Sequence, residues 1–316
     1  MSASPTDRVA LATWPTPLEP MPRLAEAIGL HAGDLWAKRD DLTGLAAGGN
    51  KIRKLEWTVG AALADGADTL ITTGAPQSNH ARLTAAAAAR LGLHAVLVFG
   101  GRAATPAGNL ILDDLLGATI TWTGDEPPAE AAETIAERLR ADGRRPVVIP
   151  FGGSNAVGAH GYRIAAGEIL EQRPDVEHVV CALGSGGTMA GLVAGLGPER
   201  VLGVHTGAVD DPVGQVAGLL RDMGVTAPPE ALRIRRDQVG DGYGSLTADA
   251  ATALRTAART EGLVLDPVYT ARALAGLHAE VRDGRIEAGQ PTVFLASGGL
   301  PGLFGHPDVA PLTEES

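Results

Sequence analysis

Beyond residue 68 the chain alternates short apolar, β-branched runs with longer stretches in which apolar positions recur every three or four residues. Asp68 to Thr73 reads as a strand, Ala81 to Leu91 as an alanine-rich helix, and Ala95 to Phe99 as the next strand. Pro106 to Leu116, Thr119 to Thr123, Pro128 to Leu139 and Pro146 to Ile149 continue the alternation. The second half repeats it with helix Ala156 to Leu170, strand His178 to Leu183, helix Thr188 to Gly195 and strand Arg200 to His205. Helices over Val213 to Met223, Ala248 to Thr260 and Thr270 to Val281 precede a last strand, Thr292 to Ala296. Upstream, Leu35 to Asp41 looks extended, and Ile52, Leu55, Val59 and Leu63 have helical spacing. The proline-rich stretches at Trp14 to Leu18 and Pro20 to Pro22 predict no regular structure, with a short helix near Leu24 to Ile28.

Such alternation is the signature of βαβ units around parallel sheets. Two doubly wound α/β lobes with mainly parallel sheets suit 316 residues. Open sheets of this kind bind ligands beyond the carboxyl ends of their strands, so the strand-to-helix junctions are where chemistry is expected.

Composition narrows the classes. Hydrophobic residues make up 45% and charged residues 20%, as in a soluble globular protein. A net charge of −11 and 3% aromatics oppose nucleic-acid binding. The single cysteine, Cys181, lies in an apolar run, so an intrachain disulfide and a cysteine-rich metal site are both excluded, and no metal is expected. The most apolar region, Leu83 to Phe99, is broken by Arg90 and His94 and does not read as a membrane span. With no signal-like N-terminus, a cytoplasmic location is expected.

Four junctions carry candidate chemistry. In Gly48-Gly49-Asn50-Lys51 a lysine stands at the mouth of a helix, where the positive helix end lowers its pKa and favours a nucleophilic amine. The preceding Gly44 to Gly49 has the spacing of a nucleotide P-loop, but Asn50 occupies the lysine position and Ile52 cannot ligate magnesium. Gln77-Ser78-Asn79-His80 opens the next helix, as ordinary caps or as a cradle for a carboxylate or phenolate; His80 is a pH-sensitive contact or a helix-surface residue. Gly152 to Asn155 is a glycine turn with no catalytic task assigned. Gly184-Ser185-Gly186-Gly187-Thr188 joins an apolar strand to a small-residue helix and forms a nest for one phosphate monoester; Met189 breaks the dinucleotide fingerprint. Near the C-terminus stand Asp266 to Thr270 and Ser297-Gly298-Gly299. Tyr243 and Tyr269, in loop-like contexts, offer phenols for acid/base work or for anchoring a carboxylate. A nucleophilic lysine, a monophosphate nest and polar groups at further strand ends together suggest pyridoxal phosphate.

At these residues the sequence resembles the D-cysteine desulfhydrase and 1-aminocyclopropane-1-carboxylate deaminase family of pyridoxal-phosphate enzymes, fold type II, with a tryptophan-synthase-β-like fold. The shared motifs run from Thr16-Pro17-Leu18 and Lys38-Arg39-Asp40-Asp41 through Gly48 to Lys51, Gln77 to His80, Gly152 to Asn155 and Gly184 to Thr188 to Gly242-Tyr243-Gly244 and Asp266-Pro267-Val268-Tyr269. The resemblance implies that Lys51 forms the Schiff base, beside Asn50, and that Asn79 faces the cofactor's phenolic oxygen. It gives the phosphate to Gly184, Ser185, Gly186, Gly187 and Thr188, and the ring nitrogen to Thr270 or Ser297. It sets Ser78, Asn79, His80, Tyr243 and Tyr269 around a small amino-acid substrate, with Lys51, Ser78 and the two tyrosines as catalytic candidates. It also implies a smaller lobe over 54–160, a larger lobe from 1–53 and 161–316, the cofactor in the cleft between them, and a homodimer.

Substrate follows from one departure. The cyclopropane-opening deaminases carry a glutamate after the tyrosine of the Asp-Pro-Val-Tyr motif, and this chain has Thr270. A hydroxyl there favours a neutral ring and a weaker electron sink, which disfavours ring opening and leaves β-elimination accessible. The expected reaction is conversion of D-cysteine to pyruvate, ammonia and sulfide. Deamination of the cyclopropane amino acid and desulfonation of L-cysteate are the alternatives within the family, and a non-catalytic pyridoxal-phosphate-binding protein is the alternative outside it.

Overall fold

The structure, a computed structural model, describes residues 8–313. Among the described residues ten strands form two sheets. The larger sheet has six strands: β1 (Leu18–Pro20), β2 (Leu35–Lys38), β7 (His178–Leu183), β8 (Val201–His205), β9 (Arg233–Arg235) and β10 (Thr292–Leu295), in the order β1-β2-β10-β7-β8-β9. The smaller has four, β3 (Thr69–Gly74), β4 (His94–Phe99), β5 (Thr119–Trp122) and β6 (Pro146–Ile149), in the order β5-β4-β3-β6. Every pairing is parallel except β1 with β2. The expected α/β architecture with mainly parallel sheets is therefore present.

The central strand β7 is apolar over most of its length because helices cover both of its faces. Val179, Val180, Cys181 and Leu183 of β7 are all buried. Their faces pack against α6 (Ala156–Gln172), α7 (Gly187–Leu196) and α10 (Thr270–Arg282). Small residues permit the closest of these contacts. A Cβ on Gly191 of α7 would lie 2.2 Å from the Ala159 carbonyl oxygen of α6, and one on Gly161 would lie 2.0 Å from the Arg53 carbonyl oxygen. Arg53 belongs to α2 (Lys51–Ala64), so α2, α6 and α7 form one tightly nested layer.

Three elements differ from the sequence expectation. Leu18–Pro20 is a strand despite its prolines, because it pairs antiparallel with β2 at the sheet edge, where a missing N–H costs nothing. Arg233–Arg235 adds an edge strand beside β8. Leu300–Gly305 forms a short helix, α11, with Pro301 in its first turn.

Asp40, fully buried, accepts from Arg53 Nε and Nη2, both at 2.8 Å, from Thr16 Oγ1 at 2.9 Å and from the Tyr162 hydroxyl. Glu168 completes the group by accepting from Arg53 and pairing with Lys38 at 2.9 Å. Thus the Lys38 to Asp41 motif ties β2, α2 and α6 together. No helix among the described residues is long and apolar enough to cross a membrane.

Candidate active site

The carboxyl ends of β3, β7 and β10 and the N-termini of α2, α3 (Asn79–Leu91), α7 and α10 converge on one cleft. Lys51 opens α2 and lines it, with Asn50, Asn79, Tyr269 and Ser297 on neighbouring walls. Gly184, Ser185, Gly186 and Thr188 form the floor. Residues drawn from every part of the chain are thereby brought together.

Lys51 Nζ donates to Asn50 Oδ1 at 3.0 Å, and Asn50 Nδ2 donates to Thr188 Oγ1 at 3.1 Å. By surface the Lys51 side chain is only half-buried, since it borders the cleft, yet its amine end is surrounded by protein. That desolvation pushes its pKa down to about 8; the Asp266 carboxylate opposes the shift and the Arg82 cation assists it. The amine lies 5.7 Å from the Tyr269 ring centroid.

The glycine loop before α7 faces a second lysine amine that none of the sequence motifs contains. Lys54, on the same face of α2 as Lys51, is 1% exposed and donates only to the Gly152 carbonyl at 3.2 Å and Ser154 Oγ at 2.9 Å. Burial lowers its pKa well below the usual lysine value, and Lys51 pushes in the same direction. No carboxylate pairs with it among the described residues. Ser154 Oγ also contacts Ser185 Oγ at 2.8 Å and accepts from the Gly187 N–H at 3.2 Å. A Cβ on Gly187 would come within 2.6 Å of Ser154 Oγ and 3.0 Å of Lys54 Nζ, so only glycine leaves this cradle open. A buried lysine amine with no counter-charge, two serine hydroxyls and the N-terminus of a ten-residue helix form a donor set for a phosphate monoester, whose charge would favour the ammonium form. With Lys51 as the amine for an aldehyde, the residues present fit pyridoxal phosphate. The one signal for Lys54 in the sequence is its i, i+3 spacing from Lys51.

Beside the cleft lies a cavity of about 230 Å³, with Asn79, Gln77, Tyr243, Tyr269, Asp266 and His306 on its wall. The Tyr243 and Tyr269 hydroxyls are 2.6 Å apart. Burial raises the pKa of Tyr243 and takes that of Tyr269 well above the usual phenol value. Asp266, not expected from the sequence as a site residue, accepts from the Val268, Tyr269 and Thr270 N–H groups and so fixes the start of α10.

Three expected site residues stand back from both cavities. Thr270 is 1% exposed; its hydroxyl donates to Asp266 Oδ1 at 2.6 Å and accepts from the Asp266 N–H at 2.7 Å. Ser78 caps α3, its hydroxyl accepting from the Ala81 N–H at 3.2 Å. His80 is neither a surface residue nor a cleft contact: it is 2% exposed, and its Nε2 lies 3.0 Å from Thr72 Oγ1. Burial, then the Lys51 and Lys54 charges, lower its pKa well below the usual value, so its ring is neutral at pH 7.

Comparison with known proteins agrees with this donor set. The family described as "Pyridoxal-phosphate dependent enzyme" matches residues 9–298. A D-cysteine desulfhydrase of Klebsiella pneumoniae (strain 342) is 41% identical, the match covering 95% of this chain and 96% of that protein. Its counterpart in a second Klebsiella pneumoniae strain is 42% identical with the same coverage. Among solved structures, one described as an ACC deaminase homologue superposes with a TM-score of 0.88 at 38% identity, covering 96% of both chains. Threonine deaminase isoform 2 of Solanum lycopersicum, at 20% identity, shares the fold with a TM-score of 0.63 over 94% of this chain and 82% of its own.

Proposed function

The chain belongs to the pyridoxal-phosphate-dependent enzymes, and from that premise we propose that it eliminates the β-thiol of D-cysteine, with water yielding pyruvate, ammonia and sulfide. The observation that carries the chemistry is the pair of lysines on one face of α2: one amine with its pKa near 8, the other a buried amine with no carboxylate partner. Two relatives above 40% identity, both named for D-cysteine desulfhydration and aligned over nearly their whole length, support the substrate.

Lys54, Ser154, Ser185, Thr188 and the start of α7 would hold the phosphate, and Lys51 the aldehyde carbon. When bound, the cofactor would supply an aldehyde for the substrate amine and a conjugated ring able to accept the electrons left at Cα. Lys51 Nζ, neutral above about pH 8, takes the Cα proton. The Tyr269 hydroxyl, hydrogen-bonded to Tyr243, gives a proton to the departing sulfur. Asn79, at the start of α3, would orient the phenolic oxygen, while Ser78 caps that helix. Burial of both tyrosines at the cavity wall restricts water around the reacting carbon.

The lobes are proposed as 54–160 and the remainder, which is supported by the four-stranded sheet lying wholly within the first range and the six-stranded sheet wholly outside it. We further propose a cytoplasmic homodimer with no role on nucleic acid, in line with the net charge of −11 and with exposed Ile111, Leu115 and Phe304. Purified protein assayed with D-cysteine, L-cysteate and the cyclopropane amino acid is expected to release sulfide and pyruvate from D-cysteine. Absence of sulfide, with turnover of either other compound, transfers the assignment to that compound. A cofactor absorbance that responds to no amino acid would make the protein a non-catalytic binder.

A further inference from the structure

Behind Asn79, away from the cleft, lies a buried group that no part of the reaction has used. Arg82 and Asn109 are both 0% exposed and neither lines the cleft. Arg82 Nη1 donates to Asn109 Oδ1 at 2.9 Å and to Asn79 Oδ1 at 3.3 Å, and Nη2 donates to the Gly48 carbonyl at 2.6 Å. Asn109 Nδ2 donates to Asn79 Oδ1 at 3.1 Å and to the Gln77 carbonyl at 2.9 Å.

A carboxamide has two faces of similar shape and opposite polarity, and its orientation follows from its partners. Guanidinium only donates, so whatever it bonds must present oxygen. Arg82 therefore fixes the oxygen of Asn109. Asn109 must then turn its amide nitrogen to Asn79, which meets two donors and directs its oxygen inward. The one donor group left on Asn79 points the other way, toward the cleft. Arg82 is cationic at neutral pH: burial lowers its pKa only to about 10, with the Asp113 carboxylate opposing the shift.

We propose that Arg82 and Asn109 are positioning residues that force Asn79 to present its N–H₂, rather than its oxygen, to the anionic side of the cofactor, and that Arg82 secures the Gly48 carbonyl three residues before Lys51 at the same time. The inference rests on the reading that Asn79 faces the cofactor's phenolic oxygen. It adds the reason why only a donor is available there, and it assigns a role to Asn109, the first residue of α4 (Asn109–Leu115).

A double-substitution cycle read on cofactor binding to the apoprotein tests it. Asn79→Ala removes the donor. Asn109→Asp keeps the size and the bond to Arg82 but offers Asn79 only acceptors, which turns the Asn79 nitrogen inward. Each single substitution is expected to weaken pyridoxal-phosphate affinity by about tenfold, the effect of one hydrogen bond to a charged group, and to shift the visible band of the bound cofactor in the same direction. In the Asn79→Ala background, Asn109→Asp should add nothing. Losses that multiply to about a hundredfold would overturn the positioning role, because Asn109 would then act independently of Asn79. If Asn79→Ala leaves both affinity and band unchanged, the reading of Asn79 itself fails. Should the Asn109→Asp apoprotein not fold by circular dichroism, Arg82→Lys, which keeps the charge but not the fork, takes its place in the cycle: no added loss in the Asn79→Ala background supports the positioning role, and multiplied losses overturn it.

Discussion

Tyr243 and Tyr269 meet hydroxyl to hydroxyl at 2.6 Å with their rings 74° apart, so one phenolic proton lies between them and the other remains available to the cavity. Replacing Tyr269 by Phe is expected to lower kcat by about 10²–10⁴-fold, as for loss of a general acid, with cofactor affinity little changed. Tyr243→Phe should cost less, since Tyr269 keeps its proton. Burial raises both pKa values above the ordinary 10, so the pair stays protonated through neutral and mildly alkaline pH. A kcat profile that shows tyrosine ionisation below pH 10 would contradict this arrangement.

Lys51 titrates near 8 in the apoprotein. Its ammonium form has no lone pair, so the rate of covalent attachment of pyridoxal phosphate should rise with pH up to about 8 and then level off. Stopped-flow absorbance at a series of pH values measures it. Lys51→Ala should still bind the cofactor through the phosphate cradle but show neither the covalent band nor pyruvate release.

Lys54→Met separates binding from folding. Cofactor affinity should fall by about tenfold or more, as a charge-assisted contact to phosphate is lost. The apoprotein should be as stable as the parent or more so, because a buried polar amine without a counter-charge is replaced by an apolar side chain. The pH dependence has a definite sign. The folded pKa of Lys54 lies below the unfolded value, so the unfolded chain binds more protons between the two. Parent apoprotein should therefore gain stability as pH rises toward 10.5, and the substitution should flatten that gain. Urea unfolding at several pH values checks both.

Asp40→Ala leaves the buried Arg53 guanidinium with one anionic partner instead of two. Breaking a buried pair from one side costs about 3–5 kcal/mol. A urea midpoint within error of the parent would show that Glu168 alone suffices.

Gly161→Val tests the nested helices by sterics alone. Its Cβ would stand 2.0 Å from the Arg53 carbonyl oxygen, so α2 and α6 must separate. Overpacking of this kind costs about 1–3 kcal/mol, and a further loss of cofactor affinity is expected because Lys51 rides on α2. Thermal unfolding and cofactor titration report the two effects.

What the sequence made legible follows from how each feature is encoded. Central strands such as Val179 to Leu183 are covered on both faces and so read as unbroken apolar runs. The edge strand Arg233–Arg235 was invisible because its arginines look like solvent-facing charge; in the fold Arg235 pairs with Glu280 at 2.8 Å and Asp283 at 2.9 Å. Leu18–Pro20 was hidden by prolines that only an edge tolerates. In the site, Lys51 announced itself by its glycines. Lys54 has no local mark beyond its i, i+3 spacing from Lys51, since its partner Ser154 is a hundred residues away. Thr270 was legible as a residue, but its hydroxyl is already engaged by Asp266 at 2.6 Å, whereas Ser297 lines the cleft. Hydrogen-bond saturation of that sort is set by the tertiary fold and leaves no trace in a motif.

Lys51 and Lys54 also make α2 a ruler. Three residues of helix, about 4.5 Å of rise, set the separation between the reactive amine and the anchor for the anion. Deleting a single residue between them would leave the two lysines at i, i+2, about 200° apart, and take one off the shared face. Shortening is thus forbidden here at a finer grain than amino-acid changes: the helix can vary what it carries on its other faces, but not give up a residue.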